Sequence, residues 1–458
     1  MINDLITFIK KLEFEKIPDN IIGKAKMCIL DWIGVSLAAT STPLSKKILQ
    51  FVLSLKTNLE CSLIGSGLKA DFINAAFYNA TLGHMLELDD THIRGIIHPG
   101  TVIIPSVFSI GERENADCVD IITSIIIGYE VMGKVATSMQ PSLRDRGFHA
   151  TSICGPIGVA AAIAKLLNFD VENIRNALSI AATQSSGLLA SFTGDTELKP
   201  IHAGFAARNG IFAVQLTCNR IIAPDVFSGY KNFFETFTGS STTYTILYNN
   251  NKKYSNNKKF EILNVGFKIH SACRHFHSAI DALINIMKKN DLRFDDITYI
   301  KVRCHGMAIR GHNILSPTTL TGVKMSLPFC LAIAAYKGRV DENVDDILNN
   351  KTTYAILRKF AENVELIHDN RFDKLFPEKI PAEVEVYAAG KKFKEYVEYP
   401  KGEPQNPLGW EDLITKFTRL NQKRLDEERI NEIVRFVKSF EKNKSVKPLM
   451  RRLCLHSG

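Results

Sequence analysis

The first half of the chain is a succession of helical segments that are apolar on nearly every side. Ile21–Ala39 follows the start signals Pro18-Asp19-Asn20, and Asp71–Leu86, Thr101–Arg113, Cys118–Met139, Ala150–Leu167, Val171–Gln184 and Ile201–Asn219 come after it. A helix without a polar face cannot lie against water. These segments therefore predict a helical body around one large core, and no repeat on the roughly 20–50-residue scale suggests a solenoid. With 458 residues, 45% hydrophobic and 23% charged, the chain has the make-up of a soluble globular protein. Wholesale disorder, a collagen-like repeat and a small disulfide scaffold are excluded. The best candidate for a membrane span, Ile121–Met132, carries Tyr129 and Glu130 and falls short of about 18 apolar residues.

The character changes at Asn249–Lys259, a polar Asn/Lys-rich stretch that reads as a loop or domain boundary. Beyond it, Asp296–Arg303 alternates like a strand and Ala382–Tyr399 reads as a hairpin turning near Gly390. Ser271–Lys289 and Leu327–Lys337 read as helices between them. Pro400-Lys-Gly-Glu-Pro-Gln-Asn-Pro punctuates the chain again, and Trp410–Lys442 returns to amphipathic helices. The predicted fold is mainly α with an α+β second domain. Residues 1–260 and 400–458 form the helical body, built from both chain ends, and residues 261–399 form an inserted α+β lid.

The net charge of +9 is a mild bias that suits an anionic small molecule. The basic run Lys442–Arg452 reads as a solvated tail, and nothing else resembles a nucleic-acid-binding motif. No two of the nine cysteines lie within three residues of each other, so there is no CxxC pair. Cys28, Cys218 and Cys330 sit in apolar helical stretches and read as buried thiols. The first residues lack a charged region and an apolar core of a secretory signal, and a reducing cytoplasm is expected.

Chemistry-bearing residues cluster at helix starts. Glu87-Leu-Asp-Asp-Thr-His92 precedes His98-Pro-Gly, where Pro99 suits the first helical position and unpaired N–H groups attract anions. Arg144-Asp-Arg-Gly-Phe-His149-Ala-Thr-Ser152 puts a second histidine just before a helix. Asp195-Thr-Glu-Leu-Lys199-Pro-Ile-His202 puts a lysine where the helix dipole repels it, an odd position unless an anion is shared. Lys268-Ile-His-Ser-Ala-Cys273-Arg-His-Phe-His277 spaces Cys273 and His277 to share one face if both are helical, with Arg274 favouring a thiolate. Taken singly, each context also fits an ordinary capped turn with solvated side chains or core packing. No third ligand at metal spacing accompanies Cys273 and His277, so no metal is expected. Converging, they would form a pocket for an acid with several carboxylates, with chemistry at a carbon next to a carboxylate. Abstracting so weakly acidic a proton requires cationic groups to meet the developing charge and a base poised near neutrality, which histidine supplies.

These residues resemble the MmgE/PrpD family, which contains 2-methylcitrate dehydratase, cis-aconitate decarboxylase and iminodisuccinate epimerase. The likeness rests on Glu87–His92 with His98-Pro-Gly, Gly147-Phe-His-Ala-Thr-Ser-Ile-Cys-Gly-Pro156, Lys199-Pro-Ile-His-Ala-Gly204 and Cys273 with His277. Ser326-Leu-Pro-Phe329 and Pro400-Lys-Gly-Glu-Pro are further echoes. The resemblance implies a helical domain from both chain ends, an α+β lid, a homodimer, and a site between body and lid with no metal or organic cofactor. It assigns Glu87, Asp90, Thr91, His98, His149, Lys199 and Lys268 to the pocket. In the decarboxylase a histidine stands at the place of Cys273.

The expected activity is that of a cofactor-independent lyase on a small di- or tricarboxylate, most simply a dehydratase. His98, His149, Lys199, Cys273 and His277 would be catalytic. Glu87, Asp90, Thr91, Lys268 and Arg274 would contact the substrate. An epimerase using two opposed bases, a decarboxylase, and a carboxylate-binding protein without catalysis are the alternatives.

Overall fold

Aspartates cap three of the body helices: Asp71 accepts from the N–H groups of Ile73 and Asn74, Asp117 from Val119 and Asp170 from Asn173. The computed structural model describes residues 2–192, 196–240, 260–341 and 344–454. The principal body helices are α1 (Asp19–Ala39), α2 (Phe72–Met85), α3 (Gly100–Glu114), α4 (Cys118–Met139), α5 (Ala150–Leu166), α6 (Val171–Thr183) and α7 (Leu198–Cys218). Each lies within two or three residues of its sequence expectation. The Asn249–Lys259 boundary lies outside the described residues.

The helices of the body pack closely. A Cβ on Gly210 of α7 would meet the Pro156 carbonyl of α5 at 2.8 Å, and one on Gly204 would meet the Phe77 carbonyl of α2 at 2.8 Å. Only glycine lets these backbones approach so nearly, which fixes how α2, α5 and α7 meet.

A second hydrophobic core runs from Ala272 to Ala388, separate from the one formed by residues before Phe267 and after Leu408. It packs α8 (His277–Lys289) and α9 (Leu327–Lys337) on a four-stranded sheet. The strands are β1 (Ile297–Cys304), β2 (Val364–His368), β3 (Ala382–Ala388) and β4 (Lys391–Val397), in the order β2-β1-β3-β4. β1 pairs in parallel with β2 and antiparallel with β3. The β3–β4 hairpin turns through Ala389 and Gly390, both at positive φ, the geometry that matches strand twist. The fold is mainly α with an α+β part, as expected. The short strand β2 was not foreseen.

Four other expectations need correction. Helix α8 begins at His277 rather than Ser271, because the Cys273 N–H bonds to the Lys324 carbonyl and leaves the segment before it irregular. Cys273 and His277 therefore share no helix face. Cys218 is exposed, while Cys28 and Cys330 are buried. The basic C-terminal segment is not a solvated tail: Lys447–Leu453 is helical and buries Leu449, Met450 and Leu453. Among the described residues no helix is long and apolar enough to cross a membrane.

The chain end helps to build the body. Helix α10 (Trp410–Asn421) lies on α1, and its Lys416 reaches Asp31 at 2.6 Å and the Leu88 carbonyl at 2.7 Å. Both side chains are buried. Removing one member of such a pair leaves an uncompensated charge. Lys416→Met is expected to cost about 3–5 kcal/mol in urea denaturation, and pairing it with Asp31→Asn should recover part of the loss. A change under about 0.5 kcal/mol, the usual range of surface substitutions, would show that the pair is not needed.

Buried histidines make stability depend on pH. Burial holds His84 down to about 3 and His305 and His312 down to about 4, against about 6.5 for an exposed histidine. As pH falls below about 6.5 the unfolded chain takes protons that the folded chain refuses, so stability is lost on acidification. Asp90 opposes this, since burial raises it to about 6 and the folded chain binds that proton first. The histidines outweigh the aspartate, since burial also holds His149, His275 and His277 down, so stability falls as pH drops from about 6 to 4. Urea midpoints that held constant or rose from pH 7 to 5 would contradict this balance.

Candidate active site

The loop after α2 carries the first set of side chains. Glu87 adopts φ 51°, a left-handed backbone that costs a non-glycine residue energy, and its buried carboxylate is held between two lysines. Lys199 Nζ is in direct contact with Glu87 Oε1, and Lys268 Nζ lies 3.1 Å from Oε2. Burial pushes both ammonium groups below the ordinary lysine range, and for Lys199 repulsion from Lys268 adds to the effect. Lys199 belongs to the first turn of α7, whose N-cap is Glu197, so the helix opens earlier than Pro200 suggests.

Two residues on, Asp89 is shared by two imidazoles. His84 Nδ1 lies 2.7 Å and His98 Nδ1 3.2 Å from Asp89 Oδ2, and His98 Nδ1 is also 2.9 Å from the Asp90 carbonyl. Both neighbours of His98 Nδ1 are acceptors, so Nδ1 carries the proton and Nε2 is left with a lone pair. Asp89 stays ionised: the two histidines overcome the effect of burial and hold it well below the usual carboxylate range. The ligating atoms of His84, Asp89 and His98 lie within 4.8 Å of one another. With both Nδ1 atoms directed at one carboxylate oxygen, the set fits hydrogen bonding and offers an ion no lone pair from those nitrogens.

His149 is the N-cap residue of α5. Its Nδ1 pairs with His202 Nδ1 at 3.1 Å, and its ring lies 6.2 Å from that of His84, nearly parallel. Burial, reinforced by His202, keeps His149 neutral well below its ordinary pKa. Pro99 serves as the N-cap of α3, one place ahead of the position expected for it, and His98 stands just before it.

Glu87, Thr91, His98, His149, Lys199, Cys273 and Arg274 all line one cavity of about 80 Å³. They arrive from distant parts of the sequence, which is the convergence the sequence reading required. His92, Ile93, Ile96, Ile97, Phe192 and Met325 complete much of the wall. The volume is small beside the roughly 300–1,000 Å³ of common ligand clefts.

Three of the predicted residues do not line the cavity. Asp90 does not line the cavity: its carboxylate accepts from the Gly100 N–H at 2.9 Å and the Tyr129 hydroxyl at 2.7 Å. It thereby ties α3 and α4 to the loop. Lys268 lies behind the wall, fully buried against Glu87 and Asp89. His277 has both ring nitrogens engaged, accepting from Arg274 at 3.1 Å and donating to the Ala272 carbonyl at 3.2 Å. Arg274 reaches the wall, but Glu403 of the Pro400-Lys-Gly-Glu-Pro stretch neutralises it at 2.6 Å. Sequence reasoning gave no role to His84, His202, His275, His312 or Arg144. His84 carried a signal, since it occupies the last turn of α2, just before the Glu87–His92 stretch. His312 carried none, because its loop has no period.

Two family models cover the chain: the MmgE/PrpD N-terminal domain matches residues 3–244 and the C-terminal domain residues 270–441. A cis-aconitate decarboxylase-like protein oryM of Aspergillus oryzae is 25% identical, with 98% of this chain and 96% of that protein aligned. A cis-aconitate decarboxylase of Aspergillus terreus is 24% identical over 98% of this chain and 95% of its own length. The cis-aconitate decarboxylase of Mus musculus is 28% identical over 50% of this chain and 48% of its own. By the match of both models, this chain belongs to the MmgE/PrpD family.

Proposed function

We propose that this protein is a lyase acting on a small di- or tricarboxylic acid, and that it works by proton transfer at a carbon next to a carboxylate. The observation that carries this reading is His98. Its Nδ1 is pinned by Asp89 and the Asp90 carbonyl, and it shares a cavity with His149 and Lys199. Residues 261–399 would act as the lid over that cavity.

In a dehydration, His98 Nε2 would take the proton from the carbon. The electron pair left behind forms the double bond as hydroxide departs from the next carbon. His149, paired with His202 and neutral, would hydrogen-bond the departing oxygen, and the proton now held by His98 would convert hydroxide to water. Lys199 would meet the charge that develops on the substrate carboxylate, inside a site where water does not screen it. Cys273 lines the same cavity and is the further proton donor to be tested.

Decarboxylation is the second reading, favoured by relatives that align along nearly the whole chain and are named cis-aconitate decarboxylases. There the bond to the carboxylate carbon breaks, carbon dioxide leaves, and the electron pair shifts along the double bond. A protonated His98 would then deliver a proton to the far carbon. The two readings share one base and differ in the bond that breaks.

Incubation with methylcitrate, citrate, cis-aconitate and iminodisuccinate, followed by proton NMR in deuterium oxide, separates these readings. Loss of water supports the dehydratase and carbon dioxide from cis-aconitate the decarboxylase. Deuterium entering recovered substrate without elimination points to an epimerase, and no change in any acid would reject the lyase. His98→Asn is expected to lower kcat by about 10²–10⁴-fold with the melting temperature nearly unchanged. Turnover within a few-fold of the parent would remove His98 from the mechanism.

A further inference from the structure

The charges around the cavity leave one cation of the wall unmatched. Lys199 and Lys268 face Glu87 and Asp89, and Arg274 faces Glu403. Arg144 lines the same cavity from the short helix Ser142–Asp145, and none of the described residues forms an ion pair or hydrogen bond with its guanidinium. The groups close enough to act on it electrostatically are Cys273, Arg310 and Asp145, and its own charge acts on His149, His275, His305 and His312. Beside it, the buried Nδ1 of His275, a residue that also lines the cavity, has no hydrogen-bond partner. A half-buried guanidinium that shares a cavity wall with an unpartnered imidazole, with a second arginine near enough to repel it, is unfavourable alone and favourable around an anion.

We propose that Arg144 anchors a substrate carboxylate remote from the reacting carbon, with His275 beside it, and so selects acids with more than one carboxylate. The proposal rests on reading the cavity as a carboxylic-acid site. Arginine suits this task because its planar fork holds both oxygens of a carboxylate, whereas lysine offers a point charge.

The test is calorimetric titration of the full chain and of Arg144→Gln and Arg144→Lys with tricarballylate, a saturated tricarboxylate that cannot eliminate water, and with butyrate. The parent should bind tricarballylate, Arg144→Gln should bind it at least about 30-fold more weakly, as loss of a charged partner predicts, and Arg144→Lys should fall between. Butyrate binding should not distinguish the variants. Tricarballylate binding by Arg144→Gln within two-fold of the parent overturns the proposal. Should Arg144→Gln fail to fold, Arg144→Lys decides in the same way. Parent protein that binds tricarballylate through Arg144 but turns over no acid of the panel keeps the subsite and rejects the lyase. Turnover with unchanged KM in Arg144→Gln does the reverse, and a parent that binds no tricarballylate rejects the subsite outright.

Discussion

The carbonyl groups at the end of α2 hold the molecule's parts together. A helix leaves its last carbonyls without internal partners, and here side chains from elsewhere supply them. Lys324 Nζ donates to the Met85 carbonyl at 3.0 Å, the Ser271 hydroxyl to Leu86 at 2.5 Å and Lys416 Nζ to Leu88 at 2.7 Å. Two of these donors come from the segment containing the second core and one from α10. Two are cations at the negative end of a helix dipole, where positive charge is favoured. Three stretches of chain far apart in sequence thus meet on one turn, and Glu87 and Asp89 project from the loop that this turn begins.

The loop is fixed from its other side too. Thr91 and His92 pair as a short strand with Gly266 and Val265, and His92 Nε2 reaches Glu261 at 2.9 Å. Asp90 clamps the loop to α3 and α4 through Gly100 and Tyr129. A Cβ on Gly100 would lie 2.8 Å from Asp90 Oδ2 and 2.7 Å from the Tyr129 hydroxyl, so glycine there admits the carboxylate. The loop is thus bonded on both sides, which on the proposed function would hold the accurate geometry that proton transfer needs.

The body was legible in sequence because its helices are apolar all round and are bounded by caps such as Asp117 and Asp170. The histidines before helix starts were legible for a similar reason, since Pro99 and the Thr151-Ser152 turn mark those starts. What could not be read was direction. Glu87, Lys268 and Arg274 were placed in the right neighbourhood, yet charge pairing turned Lys268 and Arg274 onto protein carboxylates. Asp90 and His277 serve neighbours that sequence spacing cannot reveal, namely Tyr129, Gly100 and the Ala272 carbonyl. Strand β2 was missed because five residues with only Val364 buried carry too little alternation.

The contact between Glu87 and Lys199 has a consequence for affinity. On the proposed function, an arriving acid would not find a bare ammonium; it would displace an internal tenant that already satisfies that group. Occupancy is then a swap of one anion for another, and much of the coulombic gain cancels. On the proposed function, such an exchange would ease the departure of a product that still bears the charges of its substrate.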